Sequence, residues 1–528
     1  MSSNAARGVV RAALAVGAAL LLTRLWFVAH RALDLDEFEH AHAAWSFARG
    51  LLPYRDFFEH HPPLIYLLSA PLFAAPETAT DASAAARALM FARGAMWLVT
   101  VLSAAIVYRL GVLLRDRVAG ACAVVLLTTS SQFLESMLEF RPDVPAVFCL
   151  LTTAWCLAGI DGTDNPRRRP VRVLAGGVAF GAALLFTQKA IFAAPGLGVA
   201  FLLRRRVVFP GLFAAGVLLP VAVVAWWFNS RGALAPLWYY TVTFAGELNA
   251  DRFSPFPRLV SNVVQQPAIY ILGIAAMTVR LKPGTTATTV RLKPDTTSTT
   301  VRLKPDTTEE AVSRRAAIAH TAVVSGFSRT VITLTALSLI AGIFIIGKAY
   351  DQYYALLLPL LAALGGAFAA SALDAVHARI SGTAAAIVTL AVFSLVISAR
   401  RFTPIDPQLD EIAFITTQTK PSDSYVGGSP GAALFRPHGW YYFFLTGPFA
   451  SATDYTDLLT ALETDRIRPR LLVRDRYLDQ RAPAMILEYF AAHYRHVRGD
   501  LYLRQSEYGS ASLNTSEASD RFDRPFTR

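Results

Sequence analysis

Apolar residues in this chain are collected into long runs that are separated by short patches containing arginine. Most runs extend over roughly 15–25 residues, about the length that an α-helix needs to cross the hydrocarbon core of a membrane. A helix satisfies its backbone hydrogen bonds internally, which is required where water is absent. The pattern therefore predicts an α-helical polytopic membrane protein with about eleven spans. The predicted spans are residues 9–29, 89–113, 118–134, 144–160, 173–187, 190–203, 207–228, 263–279, 331–347, 353–371 and 383–399.

Two of these runs, 173–187 and 190–203, are short for full spans and meet at Gln188 and Lys189. The sequence leaves open whether they are two spans, a helical hairpin or a re-entrant pair. The first run has no small-residue cleavage site after it, which predicts a retained span rather than a removed signal peptide.

The arginines between the runs indicate how the chain is threaded. With the N-terminus in the cytoplasm, every cluster of arginines lies on the cytoplasmic side, as the positive-inside rule requires, and the opposite threading would place every cluster outside. The clusters are at residues 115 and 117, 167–169 and 172, 204–206, 314–315, and 379. This threading makes the first loop and the segment after the last span extracytoplasmic.

The first loop, at about residues 30–88, is polar, acidic and aromatic, and it contains a short apolar stretch at 64–73. That stretch is too short to span and is typical of an interfacial helix. A second loop, at about 229–262, is rich in aromatic residues and faces the same side.

The last part of the chain has the pattern of a soluble domain. Helical patterns near 408–418, 455–466 and 479–492 alternate with strand-like runs at 424–427, 470–474 and 495–504. We therefore predict a transmembrane domain at 1–400, a small extracytoplasmic α/β domain at 401–505 and a disordered tail at 506–528.

A short repeat interrupts the transmembrane domain. The hexapeptide TVRLKP begins at Thr278, Thr289 and Thr300, an 11-residue period. Three copies are too few for a solenoid, and the segment lacks core-forming residues, which predicts a disordered cytoplasmic insertion at 280–330. The alternative is a basic patch on the anionic inner leaflet.

Composition excludes several classes of protein. The net charge is +12, but the basic residues lie between apolar runs rather than on one face, so we expect membrane lipids and no nucleic acid as partners. The three cysteines all lie in apolar runs, which excludes a disulfide framework and disfavours a cysteine metal site.

Titratable residues are concentrated in the first loop. A helix at 36–48 would place Asp36 and His40 one turn apart, and Glu39 beside His42. Residues 60–63 read His-His-Pro-Pro, an extended entry to the interfacial stretch. These side chains would suit a general base with a divalent metal, or an ordinary solvated loop, and their spacing matches no closed metal motif.

The acidic pair Asp36–Glu37 just past the first span, followed by an aromatic stretch that ends in His61-Pro62-Pro63, resembles the membrane glycosyltransferases of the GT-C superfamily. The similarity is to the branch with protein O-mannosyltransferases, the aminoarabinose lipid A transferase and RgtA/B/C/D-like enzymes. Further matches are at 139–143, at Gln188-Lys189, and at Lys348 with residues 351–354. The resemblance covers roughly residues 8–400, and on the arginine-derived topology all of these positions face outward.

The resemblance implies transfer of a sugar from a polyprenyl-phosphate donor to an extracytoplasmic lipid, glycan or protein acceptor. Asp36 matches the general base, and Glu37 completes the acidic pair and would orient the site. The implied phosphate-binding residues are Arg141, Lys189 and Lys348, and the implied substrate-binding residues are Asp143, Gln188, Tyr353 and Tyr354.

Each cation also has a structural interpretation. Arg141 would pair with Asp143 or Glu139 at the membrane edge, and Lys189 and Lys348 would snorkel to the interface. Where aminoarabinose-type enzymes have an acid and a lysine before Pro-Pro, this chain has His60 and His61. Glu59, His60 and His61 are the candidate ligands of a divalent metal cation, and this departure puts a family-like metal site in question.

Two other functions compete with the transferase. A transporter or flippase of lipid-linked sugars would place polar residues near the midplane, often in two related halves, whereas this chain gathers them at one face. A non-catalytic accessory with a degenerate site is the third alternative. The C-terminal domain has no GxGxxG or GxxxxGK[ST] loop, so we expect no nucleotide cofactor and a domain that covers the acceptor cleft.

Overall fold

A computed structural model of the chain describes residues 3–160, 167–204, 208–247, 254–278, 306–346, 350–375, 380–444 and 455–505. Most of these residues are helical. The helices of the first half are α1 (Ser3–His30), α2 (Leu35–Ala48), α3 (Leu64–Phe73), α4 (Ala82–Leu114), α5 (Arg117–Thr128), α6 (Ser131–Ser136), α7 (Asp143–Ala158), α8 (Arg168–Phe186), α9 (Ala194–Arg204), α10 (Val208–Asn229), α11 (Leu234–Trp238) and α12 (Phe244–Glu247). The helices of the second half are α13 (Phe256–Gln265), α14 (Pro267–Thr278), α15 (Asp306–Ile345), α16 (Leu358–Ala375), α17 (Ile380–Arg400), α18 (Asp406–Gln418), α19 (Tyr455–Glu463), α20 (Arg476–Arg481) and α21 (Ala484–His493).

The predicted class, a polytopic helical membrane protein, is confirmed. Within the described ranges, seven helices are long and apolar enough to cross a membrane, and α13 with α14, bent by 103°, would make an eighth if the pair is one span. The seven are α1, α4, α8, α10, α15, α16 and α17. Many of their side chains remain exposed, such as Leu22, Leu218 and Ile345, because lipid rather than protein covers them.

The three remaining predicted spans coincide with shorter helices. Helices α5, α7 and α9 contain 12, 16 and 11 residues, and α5 ends at Thr128 although its apolar run continues to 134. A 3-10 turn, Gln188–Ala193, separates α8 from α9. The two short runs that meet at Gln188 are therefore two helices, of which α8 alone is long enough to span.

The first loop contains the two helices that its sequence predicts. Helix α2 begins at Leu35 because Asp34 caps it and the Glu37 side chain accepts from the Asp34 backbone N–H, which together form a capping box. Helix α3 occupies the short apolar stretch, Leu64–Phe73. A left-handed residue, Tyr54 (φ 70°), turns the chain between the two helices.

The C-terminal domain is α/β, as predicted. Its sheet contains β1 (Tyr425–Gly427), β2 (Leu471–Val473), β3 (Tyr494–Arg498) and β4 (Leu501–Arg504) in the order β1-β2-β4-β3. Strands β1 and β2 are parallel, and the other pairs are antiparallel. The run at 495–504 is a hairpin rather than one strand, because Gly499 (φ +49°) reverses the chain.

The C-terminal domain is hydrogen-bonded directly to the first loop. The Ile405 N–H donates to the His30 carbonyl at 2.9 Å, and the Phe58 N–H donates to the Tyr441 carbonyl at 2.9 Å. The buried Arg436 guanidinium donates to the Ala79 carbonyl at 2.8 Å. Because two of these bonds join backbone to backbone and the third comes from a buried guanidinium, the domain fixes the position of the loop.

The repeat lies largely outside the described residues. Its second and third copies begin at 289 and 300, whereas the described chain resumes at 306. Helix α15 begins at Asp306, so the end of the predicted disordered insertion, 306–330, is helical and continuous with the following span. The tail at 506–528 also lies outside the described ranges.

Candidate active site

A cavity of about 1220 Å³ lies between the first loop, the membrane helices and the C-terminal domain. One part of its wall is charged and includes Asp36, Glu39, Arg141 and Lys189. Another part is apolar and is supplied mainly by α8, α10 and α11, through residues such as Leu184, Val221 and Leu237. The cavity can therefore hold a ligand with a charged head and an apolar body.

Asp36 lies in the first turn of α2, and its side chain is 32% exposed and faces the cavity. Its carboxylate pairs with Nη2 of Arg141, and the Asp34 carboxylate lies 3.2 Å from the same nitrogen. The N-terminus of α2 also favours a carboxylate at this position through its unsatisfied N–H groups. Asp36 is thus an oriented carboxylate in a cavity wall, as a general base needs to be.

Glu37, the second acid of the pair, points away from the cavity and is fully buried. Its Oε1 accepts from Arg93 Nε at 2.8 Å and from the Phe140 N–H at 2.9 Å, and its Oε2 accepts from Arg93 Nη2 at 2.5 Å and from the Asp34 N–H at 3.0 Å. Burial opposes ionisation, but the guanidinium and these bonds hold the pKa of Glu37 below its usual value. Both carboxylate oxygens of Glu37 already accept hydrogen bonds from protein groups. Glu37 is therefore suited to orienting the site rather than to contacting a substrate.

Arg141 is shared among three acids. Besides Asp34 and Asp36, Nη1 lies 3.1 Å from Glu139 Oε2. An ion pair of Arg141 with Asp143 or Glu139 was the structural interpretation of this residue, and the pair with Glu139 is present. Burial raises the pKa of Glu139 to about 8, although Arg141 and Arg31 oppose the shift. The raised pKa favours the neutral form of Glu139 beside Arg141.

Lys189 lies on the 3-10 turn between α8 and α9, and its ammonium lines the cavity. Nζ is 3.1 Å from each Asp143 carboxylate oxygen and 4.0 Å from the centroid of the Tyr353 ring. Burial lowers the pKa of Lys189, and Asp143 opposes that shift. Asp143 is not part of the cavity wall, so it acts from behind the lysine.

Of the remaining substrate-binding candidates, two line the cavity and one does not. Gln188 and Tyr353 line the cavity, and Gln188 Nε2 donates to the His60 carbonyl at 3.3 Å. Tyr354 is fully buried in the hydrophobic core and is absent from the cavity wall, so it is brought to the core rather than to the site. Lys348 lies outside the described residues.

A cluster of acids and imidazoles lies beside the charged wall. Glu39, Glu59, His60 and His61 each offer a ligand atom, and these atoms all lie within 4.8 Å of one another. Burial lowers the pKa of His60 well below its usual value and raises that of Glu39 well above it. Within the described part of the chain, the buried Glu59 Oε2 has no hydrogen-bond partner.

This donor set fits a divalent cation such as Zn²⁺, which takes imidazole nitrogen and carboxylate oxygen. Glu59 Oε1 already accepts from the backbone N–H groups of His60 and His61 at 2.8 and 2.9 Å. This leaves the unpartnered Oε2 available as a ligand. The structure thus brings together the three predicted ligands, Glu59, His60 and His61, and adds Glu39.

Sequence reasoning missed three buried groups of the site. Glu39 was matched only with His42, whereas it faces the histidines before Pro62, and Glu139 was considered only as a partner of Arg141. Nothing in the sequence identified Arg93 as part of the site, because an arginine near the end of an apolar run resembles the arginines that set membrane topology.

Known proteins are similar to this chain in sequence and in fold. Residues 64–227 match the dolichyl-phosphate-mannose-protein mannosyltransferase family. ArnT from Cupriavidus metallidurans in the apo state superimposes with a TM-score of 0.61 at 13% identity, over 93% of this chain and 97% of that chain. The chain has the GT-C fold. The family match covers residues 64–227, less than a third of the chain.

Other GT-C structures are also similar to this chain. ArnT from Cupriavidus metallidurans bound to undecaprenyl phosphate gives a TM-score of 0.56 at 14% identity, with coverage of 93% and 97% of the two chains. An oligosaccharyltransferase from Archaeoglobus fulgidus, in complex with Zn and sulfate, gives 0.51 at 11% identity, with coverage of 89% and 68%. No curated protein matches the chain in sequence.

Proposed function

We propose that this GT-C-type protein transfers a sugar from a polyprenyl-phosphate-linked donor to an extracytoplasmic acceptor, with Asp36 as the general base. The observation that carries the proposal is the divided wall of the cavity. Its charged part contains two cations, Arg141 and Lys189, and several acids that include Asp36, and its apolar part is built from membrane helices. A polyprenyl-phosphate sugar has the same division, since an apolar tail, a phosphate and a polar sugar follow one another.

The comparisons support this class of donor. The matching family is described by its use of dolichyl-phosphate-mannose, and one similar structure contains undecaprenyl phosphate. Both carriers are polyprenyl phosphates.

Asp36 would remove the proton from the acceptor hydroxyl as that oxygen attacks the anomeric carbon. Its position in the cavity wall allows contact with a substrate, whereas Glu37 behind it has no such contact. Arg141, paired with Asp36, would orient the carboxylate and also face the donor. The bond from the anomeric carbon to the phosphate oxygen breaks, and the polyprenyl phosphate leaves with the bonding pair.

Negative charge grows on the phosphate as it leaves, and fixed cations lower the energy of that state. Lys189 is held by Asp143 and by the Tyr353 ring, so little reorganisation is needed. Arg141 would be the second cation, and Lys348 remains the third candidate. Gln188 and Tyr353 would contact the substrate from the same wall.

A divalent cation held by Glu39, Glu59, His60 and His61 would stabilise negative charge on the donor phosphate as a Lewis acid. The four side chains are close enough to hold such an ion. Because burial favours neutral imidazole at His60, its lone pair is available to a metal without prior loss of a proton.

The multi-pass chain would place this cavity on the outer face of the cell membrane. The arginine clusters support that orientation, because it is the threading that assigns all of them to the cytoplasmic side, as the positive-inside rule requires. Single cysteines at Thr296 and at the exposed Met485 should then label from opposite sides of sealed vesicles. Labelling from one side would contradict the orientation and leave the fold unaffected.

The function is tested by reconstituting the whole protein in proteoliposomes with a polyprenyl phosphate that carries a radiolabelled sugar. We expect release of free polyprenyl phosphate together with labelled product when host membranes supply the acceptor. Movement of intact donor across the bilayer with no cleavage would instead favour the flippase alternative.

A further inference from the structure

The C-terminal domain contributes two aromatic residues, Phe444 and Tyr477, to the wall of the cavity. The reaction described above uses neither of them. Tyr477 is half-buried and lies on α20, a short helix after β2, whereas the apolar wall comes from the membrane helices α8, α10 and α11. The cavity therefore has one wall that belongs to the soluble domain.

Tyr477 is held in place by a buried cap. Asp475 Oδ1 accepts from the Tyr477 N–H at 3.1 Å and from the Leu478 N–H at 3.0 Å. The Ser429 hydroxyl donates to Asp475 Oδ2 at 2.6 Å, and Leu478 is fully buried. Because the cap fixes the first turn of α20 and Leu478 anchors it, the backbone of Tyr477 has little freedom.

The end of β1 approaches this cap so closely that only glycine is accommodated. A Cβ at Gly428 would lie 2.1 Å from Asp475 Oδ1 and 2.7 Å from the Leu478 nitrogen. The ring of Tyr477 is held as well, since Arg476 lies over it at 4.8 Å and donates from Nη2 to its hydroxyl at 2.7 Å. A residue of the cavity wall is thus rigidly presented by a surface domain.

The two substrates of the proposed reaction must reach Asp36 from different directions. A polyprenyl donor has its tail in the bilayer, so it occupies the side of the cavity built by the membrane helices. The acceptor is left with the side that the C-terminal domain covers. Tyr477 therefore faces the acceptor rather than the donor.

We infer that Tyr477 is an acceptor-binding residue that selects a carbohydrate, so that the acceptor hydroxyl belongs to a sugar ring. This inference rests on the proposed transferase function. A flat aromatic ring packs against the C–H face of a sugar while the sugar hydroxyls remain free for polar groups. A rigid ring does this at a small cost in conformational entropy.

A peptide acceptor fits this wall less well. An extended peptide is commonly bound through backbone hydrogen bonds along a strand edge. The described residues that the domain brings to the cavity are the aromatic residues Phe444 and Tyr477, and the N–H groups of Tyr477 and Leu478 already donate to Asp475. These two N–H groups are thus not available to the backbone of a peptide.

The test uses the full-length protein, a polyprenyl phosphate with a radiolabelled sugar, and isolated host membranes as the source of acceptor. Labelled product is divided by proteinase K digestion and by chloroform–methanol extraction. Protease-resistant label supports the inference, with extraction distinguishing a glycolipid from a free glycan. Label that is released as glycopeptide would overturn it.

Variants then test the residue with the purified acceptor fraction. Tyr477→Ala should raise the acceptor KM by roughly 3–10-fold, and Tyr477→Phe, which keeps the ring, should stay within about twofold of the wild type. The KM for the donor and the slow hydrolysis of donor by water should not change in either variant. Tyr502→Ala, which removes a half-buried tyrosine of the same domain away from the cavity, controls for damage to the fold.

An unchanged acceptor KM in Tyr477→Ala, or an equal rise for the donor, would overturn the assignment. If the wild-type protein neither transfers sugar nor hydrolyses the donor, the proposed function itself fails and the acceptor inference fails with it. Transfer to a peptide with normal donor turnover would overturn the acceptor inference alone.

Discussion

Arg93 donates two hydrogen bonds to Glu37, at 2.8 Å from Nε to Oε1 and at 2.5 Å from Nη2 to Oε2. The same guanidinium donates to the carbonyls of Arg31 and Ala32 at 2.6 and 2.8 Å, just after α1 ends. One buried ion pair therefore connects α4, the end of α1 and the start of α2. It holds the segment that carries Asp36.

Replacing Glu37 with Gln should destabilise the protein. The substitution leaves the buried Arg93 charge without its partner, and breaking a buried pair in this way typically costs about 3–5 kcal/mol. We expect a clear fall in the unfolding temperature in detergent, measured by intrinsic fluorescence. A stable Glu37→Gln protein that has lost turnover would instead place Glu37 in the chemistry and exchange the roles of the two acids.

Replacing Asp36 with Asn should abolish most activity and leave the fold intact. Asn keeps the shape of the side chain but cannot accept the acceptor proton, so we expect turnover to fall by at least roughly 10²-fold. Abundance and unfolding temperature should match the wild type. Glu77→Gln, which changes an exposed acid of the same loop, is the control. Normal turnover in a folded Asp36→Asn protein would remove the catalytic assignment and favour the transporter.

Replacing Lys189 with Ala should slow the departure of the phosphate. Loss of one fixed cation typically costs about 2–4 kcal/mol of transition-state stabilisation. We expect this loss in kcat/KM for the donor, without a change in the pH dependence that the base sets. Asp143→Asn should have a smaller effect, because it leaves the ammonium in the cavity and removes only the group behind it. Equal and small effects of both variants would identify Lys189 as an interfacial lysine.

A divalent metal should be lost when the acid–imidazole cluster is altered. We expect Glu59→Gln and His61→Ala to lower the metal content of the purified protein, measured by inductively coupled plasma mass spectrometry. His493→Ala, which removes an exposed histidine of the C-terminal domain, should leave the content unchanged. Chelation followed by return of Zn²⁺ should remove and restore activity. Equal metal content in all of these proteins would exclude the cluster as the binding site.

The donor KM should depend on pH near 8 through Glu139. The raised pKa of this carboxyl, about 8, means that it is neutral below that pH and ionised above it. Ionisation adds a negative charge beside Arg141, which should draw the guanidinium from the donor phosphate and raise the donor KM. Glu139→Gln keeps the neutral form and should remove this rise. A rise that persists in Glu139→Gln would assign the titration to another group.

The sequence by itself determined the class of the protein and most of its elements. Run length predicts helices that can span, the alanines at 43, 44 and 48 indicate α2, and the alternation of helical and strand-like patterns predicts the α/β order of the last domain. The apolar stretch at 64–73 is a helix with those bounds. These features depend on neighbours within a few turns, so a local pattern records them. The same information placed Asp36 in the first turn of a helix at the end of the first span.

Tertiary structure decided which of several similar residues belong to the site. Asp36 and Glu37 are adjacent acids, yet one faces the cavity and the other is enclosed by an arginine 56 residues away in sequence. Tyr353 and Tyr354 are adjacent tyrosines, of which one contacts Lys189 and the other lies in the core. Glu39 joins Glu59 only because the loop folds back on α2. Burial and charge partners arise from contacts between distant segments, and a linear pattern of residue types does not specify them.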